Sequence, residues 1–548
     1  MKRVLWIVVL ALTSCTESAV TALVDSAGDR LADAVSRTTF WAALEFLSDD
    51  ALEGRAPGTR GGDLAAKYIA AEFRQVGLEP AGDDGTFFHR VPIISLTPSP
   101  TLSLLIPGRP ARRLRYPDDF VMWSMRDEPV IEARSSVVFV GYGVVAPEYQ
   151  WDDYAGVDVT GKIVLTLVND PGFADSTIFR GEELTYYGRW TYKIEEAARQ
   201  GASGILLVHT TASATYPWAT VSGSWTGPQV RLEAPPTELL LAGWLAESIA
   251  AELLQPVAPS VEAVLRLAAS GSFAPVELPV SMAASVVSVI ELSETVNVVG
   301  RLTGWGHNPN ESVLIGGHYD HLGIGTPVEG DSIYNGAVDN ASGTAAVIAA
   351  AEAFMTSGVR PDRSILFMAF GAEESGLLGS KAFAARPTLP LRDLAAVINL
   401  DEMNLYGPTN DVSALGVNQS SLGDAFTAAA RAEKLDVTVN PDALRKGFFF
   451  RSDHFPFVLA GVPALSLQFG QDYVRRDPGW GAQMDAEYGE RRYHQPGDEL
   501  LTWYTLDGAM QQLRVMLRTA LKVANASDQP TWNEGSEFKA AGDARLQQ

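Results

Sequence analysis

"SVLIGGHYD", residues 312–320, is an apolar run that ends in a histidine and an aspartate. The run is strand-like. His318 and Asp320 stand two residues apart, so on a strand they point to the same face. A histidine and a carboxylate in that relation suit a metal ligand and the group that orients it. They suit an ordinary strand end at the surface equally well. The chain has seven histidines in 548 residues, and two of them, His318 and His321, lie in "GGHYDHLGIG", residues 316–325.

Outward from this stretch, apolar runs alternate with helical patterns. "ETVNVVGRLTG" precedes it, and "RSILFMAFGAEE" (363–374), "LAAVINLDEMN" (394–404) and "VPALSLQFG" (462–470) follow as further strands. "ASGTAAVIAAAEAFMTSG" (341–358), "SSLGDAFTAAARAEKL" (420–435) and "DGAMQQLRVMLRTALKVAN" (507–525) read as helices. Continuous apolar strands interleaved with helices predict an α/β fold, with a mostly parallel mixed sheet covered by helices on both faces. In such sheets functional residues gather at the carboxyl ends of the strands.

The segment 40–80 reads as two helices around a Gly/Pro loop. In the second, Ala65, Ile69, Phe73 and Val76 recur at helical spacing and Gly77 ends it. From about residue 133 the texture changes to short Val/Ile/Leu-rich strands between glycine turns, "SSVVFVGYGVV", "GKIVLTLVND" and "GASGILLVHT", with a helix at 191–200 and aromatic-rich loops. The expected organisation is a signal segment over 1–15, a tether over 16–35, a first catalytic part over 36–132 and a β-rich insert over 133–285. A second catalytic part over 286–525 and a flexible polar tail over 526–548 complete it.

With 46% hydrophobic and 20% charged residues the chain can bury a large core. Its net charge of −24 opposes nucleic-acid binding, and no basic stripe offsets it. "MKRVLWIVVLALTSC" opens with Lys2 and Arg3, continues with an apolar run too short to span a bilayer, and ends in Cys15, the chain's one cysteine. "LTSC" resembles a bacterial lipobox. It predicts export and a lipid anchor at a membrane surface, with no intramolecular disulfide.

Carboxylates and histidines recur at the ends of the apolar runs. "GGHYD" carries His318 and Asp320, "NGAVDNASG" Asp339, "FGAEESGLLGS" Glu373 and Glu374, "INLDEMN" Asp401 and Glu402, and "YHQPGD" His494. Zinc accepts imidazole nitrogen and carboxylate oxygen together. Two histidines and three carboxylates suffice for two ions if one carboxylate bridges, and a pair of ions roughly 3.5–4 Å apart clamps a scissile carbonyl. Within the Glu373–Glu374 pair, one side chain can ligate while the other acts as general base. Singly, each motif is weak. "NASG" also serves as a helix start, where Asn340 or Ser342 would cap.

Taken together, these motifs resemble the two-zinc aminopeptidase family that also contains glutamate carboxypeptidase II and the transferrin receptor, over about residues 312–500. "EGRAPGTRGGDLAAKYIAAEF" resembles the N-terminal part of the same catalytic domain, and the block 133–285 looks like an inserted protease-associated (PA) domain. The resemblance implies a zinc-exopeptidase fold and two Zn²⁺ per chain. It implies His318 and Asp401 on one ion, Glu374 and His494 on the other, and Asp339 between them. Glu373 would be the general base working on a bridging water, and Asp320 would orient His318. A cis peptide at Asp339–Asn340 is expected as well. All five ligand positions and the base are present, which argues against a receptor-like member that has lost them.

His321 is expected on the opposite side of its strand. His454, in "RSDHFPF", is expected beside the ligands or the substrate, and His89, His209 and His307 as incidental polar residues. One or two of Phe448, Phe449 and Phe450 would line a pocket for an apolar first residue, whereas Phe455 and Phe457 would be core. The activity expected is removal of N-terminal residues from peptide substrates. The alternatives are another zinc amidohydrolase on the same site (a carboxypeptidase or a glutaminyl cyclase-like transferase) and a non-enzymatic protein that binds through its PA domain.

Overall fold

In the computed structural model, which describes residues 26–233 and 238–547, residues 312–318 of that run form an interior strand of a mixed sheet. The chain divides into two units. The first comprises residues up to 91, 294–439 and 451–548; the second comprises 92–293 and 440–450.

In the first unit the sheet is built from β1 (Val276–Leu302, through its C-terminal end), β2 (Ser312–His318), β3 (Ser364–Phe370), β4 (Leu394–Asn399), β5 (Asp411–Leu415), β6 (Asp436–Thr438) and β7 (Ala464–Gln468). Their order is β6-β5-β7-β4-β2-β3-β1. Strands β3, β2, β4 and β7 run parallel; β1 and β5 are antiparallel to their neighbours β3 and β7. β2, β3 and β4 are buried along their whole length, which is why they read as unbroken apolar runs. The register aligns their carboxyl ends. His318 pairs with Phe370, and Gly316 with Asn399. Every loop that leaves this edge therefore starts from nearly the same level.

The helix Gly343–Thr356 is buried almost all round, with Ala345, Ala346, Ala349, Ala350 and Ala353 at 0% exposure. Small side chains let it lie close to the sheet. It shares one core with the helices Arg37–Leu47, Arg60–Val76 and Asp507–Ala524 and with Ile365, Phe367 and Ala369 of β3. The alternate residue Phe370 instead meets Phe457 of the helix Phe455–Leu459 at 6.0 Å, and Phe457 meets Phe383 at 6.1 Å. Side chains alternate across a strand, so the sheet is covered on both faces, as expected. Truncating a fully buried phenylalanine such as Phe367 costs about 3–5 kcal/mol.

The second unit has its own core around a parallel run, Val130–Phe139, Ile163–Leu167, Gly204–Val208 and Leu241–Leu245. Phe120–Ser124 lies antiparallel at one edge. The helices Trp190–Arg199, Glu247–Leu254 and Val261–Ala268 belong to it, so it is α/β rather than purely β-rich. It is also larger than the expected insert 133–285. The strand Phe88–Leu105 pairs with Gln229–Leu232 and Arg112–Arg113, which draws residues from 92 onward into this unit.

Two further expectations are corrected. The region after 526 is held against the first unit. Trp532 Nε1 donates to Gly461 O at 3.0 Å, and Arg545 of the helix Lys539–Leu546, 2% exposed, donates to Leu394 O at 2.8 Å. Its polarity hid these anchors. Within the expected tether, Leu31 and Ala32 are buried, and Arg518 pairs with Asp29 at 2.8 Å. The signal segment and Cys15 lie outside the described residues. Among the described residues no helix is long and apolar enough to cross a membrane.

Candidate metal centre

His318 closes β2, and the loops after β3 and β4 bring Glu373, Glu374 and Asp401 to it. Asp339 arrives from the turn before the helix Gly343–Thr356, and the Asp339–Asn340 peptide is cis. His494 comes from the loop after the helix Trp480–Arg491.

The ligand atoms form two groups that share one carboxylate. His318 Nε2 lies 3.2 Å from Asp401 Oδ1 and 3.2 Å from Asp339 Oδ1. His494 Nε2 lies 3.3 Å from Asp339 Oδ2 and 3.1 Å from Glu374 Oε2. Glu374 Oε1 is 2.7 Å from His321 Nδ1. In His318–Asp339–Asp401, in His318–Glu373–Glu374 and in His321–Asp339–Glu374 one donor atom per residue lies within 4.8 Å of the others. These are the nitrogen and oxygen ligands that zinc takes. His321 Nε2 is buried with no hydrogen-bond partner, an exception among buried polar groups that an ion or water in the centre would account for. The donor set fits a divalent metal ion.

The electrostatics follow from packing so many carboxylates. Burial raises Asp339, but hydrogen bonds from His318 and His494 outweigh it and hold the carboxyl well below its ordinary range. Burial and Asp339 raise Glu374, yet His494 and His321 bring it to about 2. Burial opposes a proton on His494, but Glu374 and Asp339 keep it there up to about 11. Glu373 differs. Burial pushes its carboxyl well above the usual range. His318 opposes the rise, and Glu374, Asp453 and Asp401 add to it.

The supporting shell is largely hydrogen bonds from one ligand loop to another. Asn340 Oδ1 accepts from Gly343 N, the first residue of that helix, at 2.9 Å and from Glu402 N at 3.0 Å beside Asp401. Asp498 accepts from Val338 N and Asp339 N at 3.0 Å each. Ser452 Oγ donates to Asp401 Oδ2. His454, two residues on, is fully buried. Gly336, with φ +54°, admits no Cβ, because one would sit 2.2 Å from Asp339 O and 2.5 Å from the His321 ring.

Two placements differ from the sequence reading. The Asp320 carboxylate accepts from Glu373 N at 3.0 Å and Glu374 N at 3.4 Å, while His318 Nδ1 meets the Asp320 carbonyl at 3.2 Å. Asp320 thus holds the glutamate turn with its side chain, and it meets His318 Nδ1 chiefly through its carbonyl, its carboxylate standing 3.9 Å from the same nitrogen. His321 faces the centre, because β2 ends at His318 and strand alternation no longer applies beyond it. Phe448, Phe449 and Phe450 belong to the second unit, where Phe450 packs on Tyr186 at 6.0 Å. Tyr493, which the sequence reading passed over, stacks on His494 at 3.9 Å and is 44% exposed. Asp498 was missed too, although it lies in the same "YHQPGD" as His494.

The family model described as Peptidase family M28 matches residues 297–517. Leupeptin-inactivating enzyme 1 of Streptomyces exfoliatus is 28% identical over 200 residues, covering 36% of this chain and 41% of that protein. A probable leucine aminopeptidase 2 of Aspergillus oryzae is 26% identical over 244 residues, covering 43% of this chain and 45% of that protein. The chain thus spans less than half the length of these two relatives. Among solved structures, an aminopeptidase from Aneurinibacillus sp. strain AM-1 aligns with a TM-score of 0.46 at 19% identity, over 92% of this chain and 97% of that one.

Proposed function

We propose that this chain, whose residues 297–517 match the Peptidase family M28 model, is a metallo-aminopeptidase that removes N-terminal residues from peptides. The single observation that carries the reading is the Asp339 carboxylate, which offers one oxygen to His318 and the other to His494. His318 and Asp401 would hold one Zn²⁺, Glu374 and His494 the other, and Asp339 both. Two such ions, when bound, polarise the scissile carbonyl and make a water acidic.

The chain's own residues supply the proton transfers. Glu373 takes a proton from the attacking water on its free carboxylate oxygen and returns it to the leaving nitrogen. Its backbone N–H, held by Asp320, fixes where that carboxylate starts. The substrate's free amine needs an anionic partner. The carboxylates of the centre can provide it, and so can Glu402, anchored through its N–H to Asn340; burial and Asp339 and Asp401 hold its carboxyl well above the ordinary range, so an arriving ammonium would draw it into the charged form. Apolar or aromatic first residues are preferred in this reading, because a site rich in carboxylates disfavours an acidic one. "LTSC" supports export with a lipid anchor on Cys15, to be checked by mass spectrometry of the mature N-terminus.

The test combines metal analysis with a panel of aminoacyl-p-nitroanilides. The expected result is about two equivalents of metal per chain and turnover that needs a free amine. Release of free amino acid from amine-blocked peptides would instead indicate a carboxypeptidase. Protein with no bound metal and no turnover would favour a binding role.

A further inference from the structure

Arg55 stands in "EGRAPG", residues 53–58, far in sequence from every ligand loop. Its side chain is 1% exposed. Glu53, Gly54 and Arg55 all adopt left-handed backbone, with φ of 51°, 68° and 54°. A Cβ on Gly54 would lie 2.5 Å from Tyr334 O and 2.7 Å from Gly323 O, so the turn is pressed against its surroundings. Non-glycine residues take this conformation at a cost, and they keep it where tertiary contacts over-determine it.

The contacts here are those of the guanidinium. Arg55 Nε donates to Tyr319 O at 2.7 Å and Nη2 donates to Gly336 O at 3.0 Å. Nη1 donates to Leu47 O and to Asn335 O. All these acceptors are backbone carbonyls. One ends the helix Arg37–Leu47, one follows His318, and two lead into Asp339. Burial draws the group down to about 10, so it stays cationic at neutral pH, with Asp320, Asp498, Asp339 and Glu374 around it. A planar fork of donors can serve several carbonyls at once, which a lysine ammonium cannot do in the same geometry.

We propose that Arg55 is a positioning residue of the metal centre: its guanidinium ties the 319–321 segment, which carries Asp320 and His321, to the 335–339 segment, which carries Asp339. The spacing between the two halves of the ligand set is thereby preset before metal arrives. This rests on the reading of the site as a metal centre.

The test uses the full-length chain stripped of metal, as wild type and as Arg55→Lys, which keeps the charge and loses the fork. Zn²⁺ affinity is read by chelator competition, and ligand geometry by the visible spectrum of the Co²⁺ form. The expected result is a folded variant with about 10–100-fold weaker Zn²⁺ binding and an altered Co²⁺ spectrum. Wild-type affinity with an unchanged spectrum overturns the proposal, whatever happens to the melting temperature. Should the variant not fold, amide hydrogen exchange of the metal-free wild type decides. Protection of residues 319–321 and 336–341 without metal supports the preset; fast exchange that slows only with Zn²⁺ overturns it. Wild type that takes up no Zn²⁺ points elsewhere, because it overturns the reading of the centre itself.

Discussion

Asp339 presents Oδ1 to His318 Nε2 at 3.2 Å and Oδ2 to His494 Nε2 at 3.3 Å. One carboxylate thus belongs to both histidine groups, and its backbone is held from a third direction by Asp498. Removing it should undo both halves of the centre. Asp339→Ala is expected to lose both metals, as measured by plasma emission on gel-filtered protein. Retention of two ions in a folded variant would sink the bridging role.

Glu373 makes the opposite prediction. It stands beside Glu374 but is not itself a ligand in this reading. Glu373→Gln should keep its metal and lose about 10²–10⁴ in kcat, the range of a general base. Steady-state kinetics on metal-loaded variant protein checks this, and near-normal turnover would refute the assignment.

Metal uptake should release protons. His494 in the metal-free protein is held protonated up to about 11, against an ordinary value of 6.5. Binding a metal displaces that proton. Apparent affinity should therefore climb with pH below about 11, near tenfold per unit for each proton displaced. The same raised value adds stability to the metal-free fold that is complete below pH 6.5 and is lost as pH rises through about 11. Calorimetry in buffers of different ionisation heat measures the release, and a pH series of metal-free melts measures the stability.

His321 should behave as a support of Glu374, since its Nδ1 lies 2.7 Å from Glu374 Oε1. His321→Ala is expected to weaken one of the two metals by about 10–100-fold and leave the other near wild type. Sequential chelator titration resolves the two. Equal weakening of both would mean that the ring acts on the whole loop.

In the second unit, the Lys193 amine is fully buried, and burial draws it down to about 7 against the pull of Asp153, Asp170 and Glu196. Below pH 7, where the amine is charged, removing it leaves its partners uncompensated, so Lys193→Ala should there destabilise this unit by about 3–5 kcal/mol. Chemical denaturation followed by tryptophan fluorescence reads it, and a loss under 1 kcal/mol would show that the partners are neutral in the native state.

The fold of the first unit and the ligand candidates were legible in the chain because each rests on a local signal. Unbroken apolar runs of strand length, such as 312–318 and 364–370, fit only fully covered strands. His318, Asp339, Glu373, Glu374 and Asp401 each stand where such a run or its following turn ends. What they become depends on register. Pairing of His318 with Phe370 and of Gly316 with Asn399 levels the strand ends, and no local pattern encodes that alignment. The inward turn of His321 was equally hidden. It follows from where β2 stops, and that is decided by neighbouring loops. Arg55 and Asp498 act through backbone atoms of distant segments, so their residue types carry no spacing to read. The polar tail beyond 526 misled for the same reason, because a few buried contacts such as Arg545 with Leu394 outweigh a hydrophilic average. Local chemistry named the donors; only the tertiary fold, by bringing strand ends to one level and tying their loops together, decided which donors meet.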